Sequence, residues 1–160
     1  MFRINRRTDY SIRVMLSLAK RPFGERLSTN TVQDEMLIPR SFLQRIIADL
    51  SRAGLLATYP GPNGGLQLSR PAEKITLRHI WEAIEGKLLI SDCLKAPGEC
   101  PLDCDCPVRS RWGRLQSLIV HELERTTLAE LASEASSLTT PSIEASVQNT
   151  FSPALLHTSS

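Results

Sequence analysis

Near its middle the chain runs from its most regular amphipathic stretch straight into a turn so rich in glycine and proline that a tight hairpin is its natural use. Pro60-Gly61-Pro62-Asn63-Gly64-Gly65 separates two short apolar runs, Leu55–Tyr59 and Leu66–Leu68, which read as strands. Ahead of them, Pro39–Arg52 puts Phe42, Leu43, Ile46, Ile47 and Leu50 on one helical face. Arg40, Ser41, Gln44, Arg45, Ala48 and Arg52 fall on the other. Pro39 suits the first position of that helix and Gly54 a left-handed cap behind it. Thr8 to about Lys20 repeats Ile12, Met15, Leu16 and Ala19 at helical spacing, with Thr8 as cap and Asp9 in the first turn, where a carboxylate suits the helix dipole. A short helix follows over Ser28–Met36, capped by Ser28 or Thr29. Three short helices and then a hairpin are the plan of a winged helix-turn-helix: mainly α, with a small β-hairpin wing.

The remainder extends that unit. Ile75–Glu85 reads as a fourth helix with Leu77, Ile80, Trp81 and Ile84 on one face. From Pro107 a longer helix carries Val108, Trp112, Leu115, Ile119 and Leu123 near heptad spacing. So apolar a face on a lone helix needs a partner, and self-pairing in a twofold dimer is the simplest solution. Thr127-x-x-Glu130 is a capping box that starts a further short helix, and beyond about Ala135 the chain turns to Ser, Thr, Pro and Ala with almost no charge. The divisions expected are a winged helix-turn-helix domain (1–86), a cysteine-rich loop (87–107), a dimerisation helix with its short successor (108–135) and a disordered tail (136–160). At 160 residues and 41% hydrophobic, the chain can bury one core and carry one extension. No apolar run reaches the ~18 residues of a membrane span. The apolar start is broken by Arg13 and followed by Lys20-Arg21, where an export signal would need small residues, so a cytoplasmic location is expected.

Charge is divided unevenly. Residues 1–70 carry eleven Lys/Arg against five Asp/Glu, and residues 71–160 eight against twelve; nets of +6 and −4 make the chain's +2. A basic front half suits a polyanionic partner. The polar face of the third helix supplies the reading chemistry: Arg40, Ser41, Gln44 and Arg45 lie near the end that enters a major groove, where Arg bonds guanine and Gln bonds adenine. Gly61, Asn63 and Gly64 allow the wing backbone close to the duplex, and Arg6, Arg7 and Arg13 are candidates for phosphate contacts.

All four cysteines fall within fourteen residues, as Cys93-x6-Cys100-x3-Cys104-x-Cys106. With no export signal, such clustering favours metal or redox chemistry over a disulfide framework. Two CxxC knuckles are absent and Cys104-x-Cys106 is too tight for the usual zinc loop, whereas an iron–sulfur cluster tolerates irregular spacing. No Gly-rich phosphate loop, zinc-protease motif or nucleophile elbow is visible, so enzymatic activity is not expected.

Taken in order, Thr8-Asp9-Tyr10-Ser11-Ile12-Arg13, Ser41-Phe42-Leu43-Gln44-Arg45-Ile46, Arg52-Ala53-Gly54-Leu55-Leu56, the wing Gly61–Leu68, Ile75-Thr76-Leu77, the cysteine loop and Arg125–Leu131 resemble the Rrf2 family of winged-helix transcription regulators, with its IscR, NsrR and RirA types. The similarity spans about residues 1–134. It implies a homodimer on palindromic double-stranded DNA, joined through the long helix at Trp112, Leu115, Ile119 and Leu123, without membrane or small-molecule substrate. It also implies a cluster held by Cys93, Cys100 and Cys106, here spaced C-x6-C-x5-C, plus one non-cysteine ligand. In the NsrR type that ligand corresponds to Asp9 of the other subunit. The IscR-type histidine would fall where this chain has Arg109, which favours 4Fe-4S over 2Fe-2S. Cys104 is an alternative ligand, and Pro60 stands where many relatives carry an arginine for the minor groove. The expected function is a DNA-binding regulator, acting as a repressor, whose operator affinity is controlled by an iron–sulfur cluster sensing nitric oxide, oxygen or iron and cluster status. A cluster-free regulator using the cysteines as thiol switch or zinc site is the alternative. A small electron-transfer protein is more remote, because a carrier needs no DNA-reading head.

Overall fold

Asn5 opens the first helix: its side-chain oxygen accepts from the backbone N–H groups of Arg7 (2.7 Å) and Thr8 (3.2 Å). The computed structural model describes residues 4–95, 98–102 and 105–137. In it α1 spans Arg6–Ala19. Thr8, expected as the cap, is instead fully buried, and its hydroxyl donates to Glu85, 77 positions away in sequence but adjacent in space. The α1 face that meets the core is Val14, Met15 and Leu18, with Ile12, Leu16 and Ala19 packed at its edge.

Helix α2 (Thr29–Met36) is capped by Ser28, whose Oγ accepts from Thr31 N–H at 3.0 Å. It ends at Leu37, an exposed leucine in left-handed backbone (φ 51°), and Ile38 then drops into the core. Helix α3 (Arg40–Arg52) starts one residue later than expected, since Pro39 has extended ψ and serves as the cap residue. Behind it Gly54 adopts φ 70°, as a left-handed cap requires. Strands β1 (Leu56–Tyr59) and β2 (Gly65–Leu68) pair antiparallel in the register Leu56↔Leu68 to Tyr59↔Gly65. Leu27 adds a rung on the far side of β2, exchanging backbone bonds of 3.0 and 2.8 Å with Leu66.

Helix α4 (Leu77–Glu85) begins two residues inside the expected span. Ile75 is extended and fully buried, and its carbonyl accepts from Leu128 N–H at 2.7 Å while Leu77 N–H donates to Thr126 O at 3.0 Å. These bonds fasten the start of α4 to the start of α6 (Leu128–Ser137), which runs two residues past the expected boundary. One core results, from Val14, Met15, Val32, Ile38, Leu43, Ile46, Leu50, Leu56, Leu66, Ile80 and Leu128 together. Of the α4 face expected from sequence, only Ile80 is fully buried. Helix α5 (Pro107–Arg125) stands apart from that core: no residue along it is buried, and Val108, Trp112, Leu115 and Leu118 are exposed. Ile119 and Leu123 are half-buried, so its expected apolar face is covered only in part. Of the tail, residues 138–160 lie outside the described residues. No described helix is long and apolar enough to cross a membrane.

Candidate nucleic-acid interface and cysteine loop

Burying Leu43, Ile46 and Leu50 turns the opposite side of α3 outward, so Arg40, Ser41, Gln44 and Arg45 are all exposed. The helical spacing of four brings Arg40 over Gln44 and Ser41 over Arg45. Among the described residues neither Arg40 nor Arg45 pairs with a carboxylate. Beside them lies an open cleft of about 650 Å³ lined by Arg7, Ser41, Phe42, Arg45, Asp49 and Arg52. Phe42, expected in the core stripe, is 39% exposed and rests edge-on against Tyr10, with ring centroids 5.5 Å apart. It sits at the margin of the stripe, where α3 meets α1 rather than the core.

The expected phosphate contacts divide into three kinds. Arg6 is exposed. Arg7 bonds the mostly buried carboxylate of Asp49 and so ties α1 to α3; Arg52 reaches the same carboxylate at 3.0 Å. The hydrogen bond from Arg7 is the main reason the Asp49 carboxyl stays below the usual carboxylate range, against a smaller opposing effect of burial. Arg13 pairs with Asp9 at 2.9 Å and lies 5.6 Å from the Tyr10 ring centre. Both partners of that pair are about half exposed (47% and 49%), so it holds only about 0.3–0.5 kcal/mol and releases either side cheaply.

At the wing the glycines are structural requirements. A Cβ on Gly64 would stand 2.1 Å from Tyr59 O, and one on Gly65 2.5 Å from Leu27 O. Gly61 takes φ 92° and accepts from Gly64 N–H at 3.0 Å, closing the tip, while Asn63 is exposed.

The cysteine loop is fastened to α5 at both ends. Cys93 lies on a single 3-10 turn, Asp92–Leu94, that packs on α5, and its Sγ is 3.1 Å from Ser91 Oγ. Cys106 is the residue that precedes α5, and Cys100 between them is exposed. All three are free thiols, and Cys104 lies outside the described residues.

Residues 4–134 match the Rrf2 family, described as an iron-dependent transcriptional regulator. The chain belongs to the Rrf2 family. The structure agrees with solved relatives. It is similar to the global cysteine regulator CymR of B. subtilis (25% identity, 84% of this chain and 98% of that one, TM-score 0.66). It is also similar to the oxidised form of Staphylococcus aureus CymR (27% identity, 82% and 96%, TM-score 0.63). T. potens IscR shares the fold at 22% identity (88% and 93%, TM-score 0.69).

For an Rrf2 chain the donor set of the loop is chemically suited to a soft metal cluster, its three described cysteines being free thiols. It is not a preformed cage: among the described residues no three His, Cys, Asp or Glu side chains are gathered to hold one ion. Asp9, the candidate fourth ligand, is engaged with Arg13. One residue of interest escapes sequence reading altogether. The Arg26 guanidinium lies 3.7 Å from the centre of the Tyr59 ring, a juxtaposition created by the long-range Leu27–Leu66 bridge and carried by no periodicity or motif.

Proposed function

We propose that this Rrf2 regulator is a homodimer, joined through the apolar face of α5, that reads a palindromic operator with α3 and whose affinity is set at the Cys93–Cys106 loop by an iron–sulfur cluster. The observation that carries the DNA reading is the exposed, carboxylate-free row Arg40, Ser41, Gln44 and Arg45 beside the glycine wing. Each well-formed pair with a base edge supplies roughly 1–3 kcal/mol of discrimination. Trp112, Leu115 and Leu118, exposed on one long helix, support the dimer.

Cys93, Cys100 and Cys106 would hold the cluster, with Asp9 of the second subunit or Cys104 completing the shell, and 4Fe-4S is the form favoured. Such a group supplies iron and sulfide that nitric oxide or oxygen attacks. The chain's own part is mechanical: Cys93 and Cys106 stand at the two ends of the loop, both against α5, so drawing them together reshapes the segment between α4 and α5. The consequence is repression that depends on cluster status. A tenfold change in operator affinity needs only ~1.4 kcal/mol of preference between two arrangements.

A thiol switch is the second reading. It is favoured by the ungathered free thiols and by likeness to a CymR solved in an oxidised form. Anaerobic purification with absorbance, iron and sulfide quantitation separates the two. About four irons per chain and a visible charge-transfer band are expected. An iron-free, colourless protein that binds DNA and changes affinity on thiol oxidation would replace the cluster by the switch.

A further inference from the structure

We propose that Arg26, laid over Tyr59, is the cationic contact of the wing with the DNA backbone. The inference rests on the DNA-reading function proposed above. From Ala53 to Ser69 the chain has no charged residue, so the hairpin itself offers phosphate nothing but backbone and neutral side chains. A duplex carries one negative charge per ~1.7 Å of its axis, and an uncharged wing gains little from approaching it. The structure brings a cation to that wing from outside it. The Leu27↔Leu66 and Tyr59↔Gly65 pairings, with the alternation of side chains along each strand, put Arg26 and Tyr59 on the ribbon face opposite Leu27 and Leu66. Gly65, directly across from Tyr59, has no side chain to cover the ring, and the Arg26 guanidinium lies 3.7 Å from its centre.

How Arg26 is held matters as much as where. Arg7 and Arg13 are both paired with carboxylates, which cancel much of their charge. Arg26 is held by an aromatic face, which orients a guanidinium and leaves its charge and its N–H donors intact. The adjacent Glu25 faces Arg21, at 3.9 Å, and among the described residues no carboxylate pairs with Arg26. Tyr59 and Ile47 of α3 line one cleft of about 310 Å³, so the wing runs alongside the reading helix, and a duplex spanning α3 and the wing would meet the Arg26 that lies on Tyr59.

The test uses the full chain. Wild-type protein selects duplexes from a random-sequence pool, and the best of them is the probe for anisotropy titrations over a range of salt. Arg26→Ala should weaken binding ~10-fold and lower the salt slope by ~0.9 per subunit, the loss of one phosphate contact. Arg26→Lys should keep most of the slope, and adding Pro60→Arg to Arg26→Ala should restore affinity by returning a cation to the wing. Arg26→Ala that folds, by circular dichroism, and binds as wild type with the same slope overturns this inference alone. So does a loss of affinity with unchanged slope that Pro60→Arg does not rescue, since it assigns Arg26 a structural role. A wild-type protein that selects no duplex overturns the DNA-reading function and this inference with it.

Discussion

Replacing Asp49 by asparagine keeps the volume and removes the charge that joins α1 to the reading helix. Asp49 is only 13% exposed and receives Arg7 and Arg52. A hydrogen bond to a charged group contributes about 1.5–3 kcal/mol, and the 41% exposure of Arg7 moves it to the lower part of that range by solvent screening. The Arg52 pair, with its arginine 77% exposed, adds only about 0.3 kcal/mol. Asp49→Asn should therefore cost about 1.5 kcal/mol, lowering the urea midpoint without changing m, and Tm by roughly 3–6 °C. A double-mutant cycle with Arg7→Ala should return about 1 kcal/mol of coupling. The pH dependence has a defined sign. The folded Asp49 carboxyl titrates below the ordinary 3.8, so the unfolded chain binds the extra proton. Wild-type's advantage is then full above 3.8 and disappears as pH falls through the depressed value. Equal midpoints at neutral pH would refute the reasoning, and so would a difference that persisted undiminished in strong acid.

The remaining expectations concern one titration, one backbone position and one surface. His79 Nδ1 accepts the Thr76 N–H at 3.0 Å in the capping box of α4, and burial, then the charge of Arg70, hold the imidazole below 6.5. Its contribution is thus complete above 6.5 and lost as pH falls through the depressed value; Tm followed against pH should show this step in wild type and not in His79→Gln. Leu37 is 83% exposed in left-handed backbone, so Leu37→Asn should raise stability by about 0.5–1 kcal/mol in urea unfolding. Leu115→Glu puts a charge into the proposed dimer face and should weaken self-association ~100-fold in analytical ultracentrifugation while leaving the helical content unchanged.

What could be read in the sequence was what local chemistry decides. Pro60–Gly65 announced the hairpin because its glycines answer to steric demands within a few residues: Gly64 meets the Tyr59 carbonyl and Gly61 needs positive φ. Likewise Leu43, Ile46 and Leu50 form a stripe that any helix would bury, which left Arg40, Ser41, Gln44 and Arg45 outside without further information. The failures share a different cause. Thr8 had the chemistry of a cap, but a carboxylate at Glu85 competes for its buried hydroxyl and Asn5 stands close enough to take the capping role. Of the phosphate-contact candidates, Arg7 has its carboxylate partner Asp49 on another helix, beyond local reading, while Arg13 pairs with Asp9 within α1. Arg26 carries no local signal because its setting depends on a bridge between Leu27 and Leu66, thirty-nine positions apart in the chain. The cysteines show the same limit: clustering is local and legible, while gathering donors around one ion is a property of three-dimensional arrangement.

The first turn of α1 explains how these parts share one mechanical element. Successive helical residues point ~100° apart, so neighbours in sequence engage different surroundings. Arg7 holds Asp49 on α3, Thr8 holds Glu85 at the end of α4, and Asp9 holds Arg13 on α1 itself. Asn5 reinforces the α4 link, its Nδ2 donating to the same Glu85 carboxylate at 2.6 Å. The contacts are unequal in strength. The exposed Asp9–Arg13 pair holds about 0.3–0.5 kcal/mol, whereas the Thr8 hydroxyl meets a carboxylate with the threonine wholly buried. Freeing Asp9 for another partner therefore leaves the turn seated. Glu85 is followed by Gly86, where α4 ends and the segment leading to Cys93 begins. Under the proposed loop control, rearrangement of that segment would act on Glu85, from there on the α1 turn, and through Arg7 on α3. Hydrogen bonds to charged groups, the kind along this route, contribute about 1.5–3 kcal/mol, comparable with the ~1.4 kcal/mol that a tenfold change in affinity requires. These contacts are therefore the linkage through which the proposed loop control would bias the reading helix.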